Sequence, residues 1–244
     1  SMNLVAALAC VALAVVVQLT LMNRMRAKAD PVHVPIRGIM RTMPADLRRL
    51  LRAEIFIGWG DWFARDFATL YIVFILTRRY GWGDDAATSA SGSLMAIMAT
   101  TALMTYVPVA KWVDRSTSPK PFIGATFLLF ALFPITLVLL PKAAAAVGLP
   151  VMTGLVLAFV LNGLREIGEP ARKALITTGF DPHVRARAVG VYWGLRSFAF
   201  FPAPIVAALL WWWIGPDKTF LIGGAIGLTG TILFSAGRLK RTVA

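Results

Sequence analysis

Residues 161–173 read LNGLREIGEPARK, and they extend the apolar run 149–161 without a break while carrying Arg165, Glu166, Glu169, Arg172 and Lys173. At about 100° per residue, Asn162, Arg165, Glu166, Glu169, Arg172 and Lys173 fall within roughly one third of a helix circumference. The charge therefore shares one face. An ionisable group at bilayer depth costs about 2.5–3.5 kcal/mol on insertion scales, so such a face turns to a bundle interior or a wet cavity and marks a path for ions or substrate. The alternative is a structural ion-paired helix end, with Arg172 and Lys173 at the membrane interface. Pro170 cannot donate to the carbonyl of Glu166, which is expected to leave a backbone acceptor free beside two carboxylates.

The rest of the 244 residues agrees with a membrane setting, being 58% hydrophobic and 15% charged with a mean hydropathy of +0.70. A soluble domain carries about 25% charge, so the expectation is an all-α integral membrane protein, a polytopic helical bundle. The net charge of +13 comes with no zinc spacing and no RNA-binding signature, and nucleic acid is not an expected partner. Cys10 is alone within an apolar run and offers neither an intrachain disulfide nor a metal cluster, and His33 and His183 sit in polar loops. There is no HExxH, no GxSxG and no histidine pair, so no enzyme, metal or cofactor is expected.

Ser1 reads as a cloning remnant, and residues 2–22 as a first transmembrane helix. Residues 23–52 carry Arg24, Arg26, Lys28, Arg37, Arg41, Arg48, Arg49 and Arg52 against Asp30 and Asp46. They are expected to be a cytoplasmic loop ending in an interfacial helix on anionic lipid, or else a solvated linker. Residues 53–76 form a span with Glu54, Gly58, Asp61 and Arg65 at i, i+4, i+7 and i+11, which places three charges and a glycine on one face, with Asp66 beside them. Gly58 and Gly60 permit a close helix approach or a bend.

Further spans are expected at 89–110, 121–141, from 149 into the charged stretch, at 188–214 and at 219–237, about seven transmembrane helices in all. Trp211, Trp212 and Trp213 read as an interfacial belt, and the pairs Gly190/Gly194 and Gly223/Gly227 as ordinary helix packing. With the 23–52 loop inside, eighteen of the 25 Lys and Arg residues fall on the cytoplasmic side and four outside. That bias puts the N-terminus outside and the C-terminus in the cytoplasm. The charges within the spans balance when Arg172 and Lys173 are included. Even without those two, the remaining eight charges left facing lipid would cost on the order of 20 kcal/mol, so pairing across a central cavity is expected, with Arg165 and Glu169 at i, i+4 the first pair to consider.

The loop AKWVDRSTSPKP (110–121), the helix GLREIGEPARKAL (163–175) and the stretch DPHVRARAVGVYWGLRSFAFFPAP (181–204) resemble the C-terminal half of a major facilitator superfamily transporter. The family's loop signature is met by Asp114 and Arg115, and by Lys120 with Pro121 after an inserted Pro119, while Ala110 and Thr117 stand at its glycines. The resemblance implies that residues 2–22 correspond to the last helix of an N-terminal half, 23–52 to the cytoplasmic connection and 53–244 to a six-helix C-terminal transporter half. It also implies a gating role for Asp114, Arg115 and Lys120, with Asp114 meeting a neighbouring helix N-terminus.

The function expected is a secondary-transporter module that moves a small-molecule substrate by alternating access, coupled to protons, in a cell membrane of the bacterial inner-membrane type. Its pathway residues would be Asp61, Arg65, Asp66, Asn162, Arg165, Glu166, Glu169 and Arg196. Besides the lipid bilayer, an N-terminal transporter half or another membrane subunit is the expected partner, and coupled transport by this chain alone is not expected. The competing reading is a membrane scaffold or assembly factor that keeps the fold without transport.

Overall fold

In an apolar surrounding a backbone must pair its N–H and C=O groups within each segment, and helix does this locally. The computed structural model follows that rule, with no strand among the described residues. It describes residues 13, 15–17, 35–65, 67–116 and 118–237, apart from the side chains of Val107 and Asp114. The chain divides into Ser1–Val34 and Pro35–Ala244. In the first unit, residues 13 and 15–17 are helical and exposed; the remainder of the expected span 2–22 and of the loop up to residue 34 lies outside the described residues.

The second unit runs α1 (Ile36–Thr42), α2 (Ala45–Arg65), α3 (Ala68–Tyr80), α4 (Asp84–Arg115), α5 (Lys120–Ala146), α6 (Val151–Leu164), a 3-10 turn (Arg165–Gly168), α7 (Glu169–Thr178), α8 (Arg185–Phe200), α9 (Ala203–Ile214) and α10 (Pro216–Ser235). Among the described residues, five stretches are long and apolar enough to cross a membrane: Asp84–Val113, Lys120–Ala146, Val151–Thr178, Arg185–Ile214 and Pro216–Ser235. Residues 53–76, expected as one span, are instead parts of two helices. The first of them, α2, begins in the basic segment at Ala45 and crosses the expected boundary at residue 52 unbroken. α3 ends where Gly81 takes the left-handed conformation (φ 70°) and donates its N–H to the carbonyl of Leu76, a role that favours a residue without Cβ.

α10 packs between α2 and α5 because glycines let the backbones touch. A Cβ at Gly60 would strike the carbonyl of Gly223, and one at Gly227 would lie 3.0 Å from the Cα and Cβ of Ala131. The other glycine pair differs from expectation. Gly190 and Gly194 are exposed on α8 with no heavy atom within 4 Å of a built Cβ, so they pack against nothing among the described residues. Of the expected tryptophan belt, Trp212 and Trp213 are exposed at the end of α9, whereas Trp211 turns inward onto Tyr71 and Phe220.

One end of the bundle is tied by Asp217 at the start of α10. Its carboxylate accepts from Tyr71 OH (2.9 Å), from both Nη atoms of Arg79 (2.9 and 3.0 Å) and from Lys142 Nζ (2.6 Å), joining α3, α5 and α10. The hydrogen bond to Asp217 raises the Arg79 guanidinium above its ordinary pKa. At the other end of α5, Lys120 Nζ donates to the carbonyls of Ser235 (2.9 Å) and Gly237 (2.5 Å), a cation at the C-terminus of α10. Because Arg79 and Lys142 are partly solvated, Asp217→Asn is expected to lower stability by only about 1–2 kcal/mol. The melting temperature in detergent should fall, and the difference should shrink in high salt. An unchanged melt at low salt would show that these bridges hold nothing together.

Candidate functional site

Helical periodicity over α2 sets Glu54, Gly58, Asp61 and Arg65 along one edge of a cavity of about 770 Å³. The opposite edge comes from the 3-10 turn and α7 through Arg165, Glu166, Glu169, Arg172 and Lys173; α5, α8 and α9 supply Phe127, Phe130, Arg196, Phe200 and Ile205. Five cationic and four anionic side chains line this space among the described residues. Gly58 is the position that admits the Phe200 ring, since a Cβ there would run into it.

The two charged edges run antiparallel and pair at two levels. At one level Arg172 bridges two carboxylates, donating through Nη1 to Glu54 (2.7 Å) and through Nη2 to Glu169 (2.7 Å). Glu54, only 1% exposed, also accepts from Tyr192 OH at 3.1 Å and has Arg196 Nε 3.0 Å away, an ion pair whose angle falls short of a hydrogen bond. At the other level Arg165 Nη1 donates to Asp61 at 2.8 Å, with its guanidinium 4.6 Å over the Phe130 ring and its Nε 3.6 Å from Glu166. The levels are seven residues apart on both edges, roughly 10 Å along an α-helix axis. Glu169 Oε1 and Arg172 Nε are buried without a hydrogen-bond partner among the described residues.

Pro170 explains why the pairing departs from the expected Arg165–Glu169 contact. Without an N–H at residue 170, the Glu166 carbonyl accepts instead from Glu169 N–H, three residues on, and the chain tightens into a 3-10 turn. The acceptor expected to be free at Glu166 is therefore used. At three residues per turn, positions four apart no longer share a face, so Arg165 swings to Asp61 while Glu169 meets Arg172 at i, i+3. Thr126 fixes the turn by accepting the Gly168 N–H at 2.5 Å, and Gly168 is needed because a Cβ there would meet the Phe122 carbonyl.

Of the residues expected on the pathway, Asp61, Arg65, Arg165, Glu166, Glu169 and Arg196 line the cavity. Asp66 lies outside the described residues. Asn162 is buried but does not line the cavity: it sits before the turn and donates through Nδ2 to Met98 Sδ of α4 at 3.0 Å. Lys120 holds the end of α10 and Arg115 is exposed, so neither reaches the cavity, and the Asp114 side chain is outside the described residues. Arg172, which was left out of the pathway, is buried between Glu54 and Glu169.

Glu54, Arg172 and Lys173 line the cavity, Tyr192 holds Glu54 and Thr126 fixes the 3-10 turn, yet the sequence reading left all five out of the pathway. Glu54 and Asp61 are seven apart, as are Arg165 and Arg172, and equal spacing of opposite charge on two facing helices is the signal that points to the pairs. Among the described residues no group of three or more His, Cys, Asp or Glu could hold a metal ion. Comparison of the chain with protein-family models, with curated proteins and with solved structures returns no match.

Proposed function

We propose that this chain is a module of a secondary transporter of the major facilitator type, a six-helix C-terminal half with the helix that precedes it, acting in a cell membrane on a small molecule with coupled proton movement. The observation that carries this reading is a cavity of about 770 Å³ that, among the described residues, gathers nine charged side chains between α2 and stretches long and apolar enough to cross a bilayer. Such charge is costly at membrane depth and is kept where it meets a substrate or an ion. The volume suits a small-molecule ligand.

Glu169 is the coupling candidate, since its Oε1 is buried with no hydrogen-bond partner among the described residues while its Oε2 holds Arg172. Alternating access would rock this module against a second one across the cavity. The test uses native membrane vesicles from source cells that carry the wild-type chain, a deletion, or Glu169→Gln at the same locus. Accumulation of a panel of metabolites under a proton gradient is measured. Loss of one solute's accumulation in both the deletion and Glu169→Gln is expected. A deletion that depletes other membrane proteins while Glu169→Gln changes nothing would overturn transport in favour of a scaffold.

A further inference from the structure

A guanidinium carries five N–H donors, and buried ones are normally paired. Arg196 on α8 departs from this: among the described residues it donates no hydrogen bond, and its ionic contact is the 3.0 Å approach of Nε to Glu54. Its guanidinium is held over two rings, 4.9 Å from Trp193 and 4.6 Å from Phe200, and it lines the cavity with 22% of the side chain exposed. The group is thus fixed in orientation while its donors remain unused.

The charge that a ligand can reach is unevenly signed. Glu54, Asp61 and Glu169 are withdrawn into pairs with arginines, each side chain 7% exposed or less. Glu166, at 35%, is the one accessible acid lining the cavity among the described residues, against Arg196 and the exposed Arg65 and Lys173. Much of the remaining wall is apolar and aromatic, through Phe127, Phe130, Phe201 and Ile205. A planar guanidinium clamped between rings suits a bidentate oxyanion, and the apolar wall suits a hydrocarbon body.

We infer that the cavity takes an amphipathic organic anion, with its carboxylate or phosphate received by Arg196, its rim attraction supplied by Arg65 and Lys173, and its apolar body laid against the phenylalanines. Naming this anion a transported substrate rests on the transporter reading above; the binding itself does not.

The test is calorimetric binding to the purified full chain in detergent, near neutral pH, of three probes sharing one body: 4-phenylbutyrate, 4-phenylbutylamine and 4-phenyl-1-butanol. The anion is expected to bind about ten-fold or more tightly than the other two. Arg196→Gln should remove that preference, Arg196→Lys should keep part of it, and thermal melts establish that each variant is folded. Should Arg196→Gln not fold, the exposed pair Arg65→Gln with Lys173→Gln is read instead, expected to weaken the anion by about three-fold with a loss that fades as salt rises. Equal affinity for the amine or the alcohol, no saturable binding of the anion, or a preference that survives both sets of substitutions overturns the inference. Anion binding without solute accumulation in vesicles leaves the inference standing and removes the transporter reading. Accumulation of a cation without anion binding does the reverse.

Discussion

Arg172→Met is expected to lower the stability of the purified chain by about 3–5 kcal/mol, the largest effect of any single substitution considered, because it strips the cation from two buried carboxylates at once. Methionine keeps much of the apolar volume of the arginine stem, so the loss reports the charge more than the packing. The two acids are not left equal. Glu54 retains Tyr192 OH at 3.1 Å and Arg196 at 3.0 Å, whereas among the described residues the partner of Glu169 is Arg172 itself. Adding Glu169→Gln to Arg172→Met should therefore restore more stability than adding Glu54→Gln. The measurement is the melting temperature in detergent of the single and the two double variants. Equal rescue by the two glutamines would mean that Tyr192 and Arg196 do not hold Glu54, and a single variant that melts like the wild type would remove the bridge altogether.

How far the site could be read from the sequence depends on where the backbone keeps a regular period. Along α2 the period of 3.6 residues holds from Ala45 to Arg65, and the face predicted for Glu54, Gly58, Asp61 and Arg65 is the face that lines the cavity. Across Arg165–Gly168 the period tightens, and there the face was legible while the partners were not. A residue's depth was equally hidden: Arg172 and Lys173 are neighbours in an identical chemical context, yet one bridges Glu54 and Glu169 and the other is exposed. The helical architecture, and five of the seven expected spans, were legible because hydropathy and helix length are one-dimensional quantities; among the described residues five stretches have membrane-spanning length and hydropathy, and 53–76 is not one of them. Which glycines touch a neighbour is a matter of tertiary position, so Gly223 and Gly227 pack against α2 and α5 while Gly190 and Gly194, with the same spacing, stand open.

The Asp61–Arg165 pair is expected to behave as a unit in a double-mutant cycle. Arg165→Met alone should cost about 3 kcal/mol, since it leaves the nearly buried Asp61 carboxylate without the guanidinium 2.8 Å away. Asp61→Asn alone should cost less, because Arg165 still has Glu166 at 3.6 Å and the Phe130 ring beneath it. The double variant should be more stable than the sum of the two losses by about 1–3 kcal/mol, the coupling of a contacting pair. The same cycle run with Arg165→Met and Glu169→Gln should be additive to within about 0.5 kcal/mol, because the 3-10 turn sends those side chains to different partners. Thermal melts in detergent, converted to free energies over a common temperature range, give both couplings. Additivity in the Asp61 cycle together with coupling in the Glu169 cycle would mean that the stretch keeps an ordinary α-helical period through Pro170, and would return the pairing to the i, i+4 contact that the sequence alone suggests.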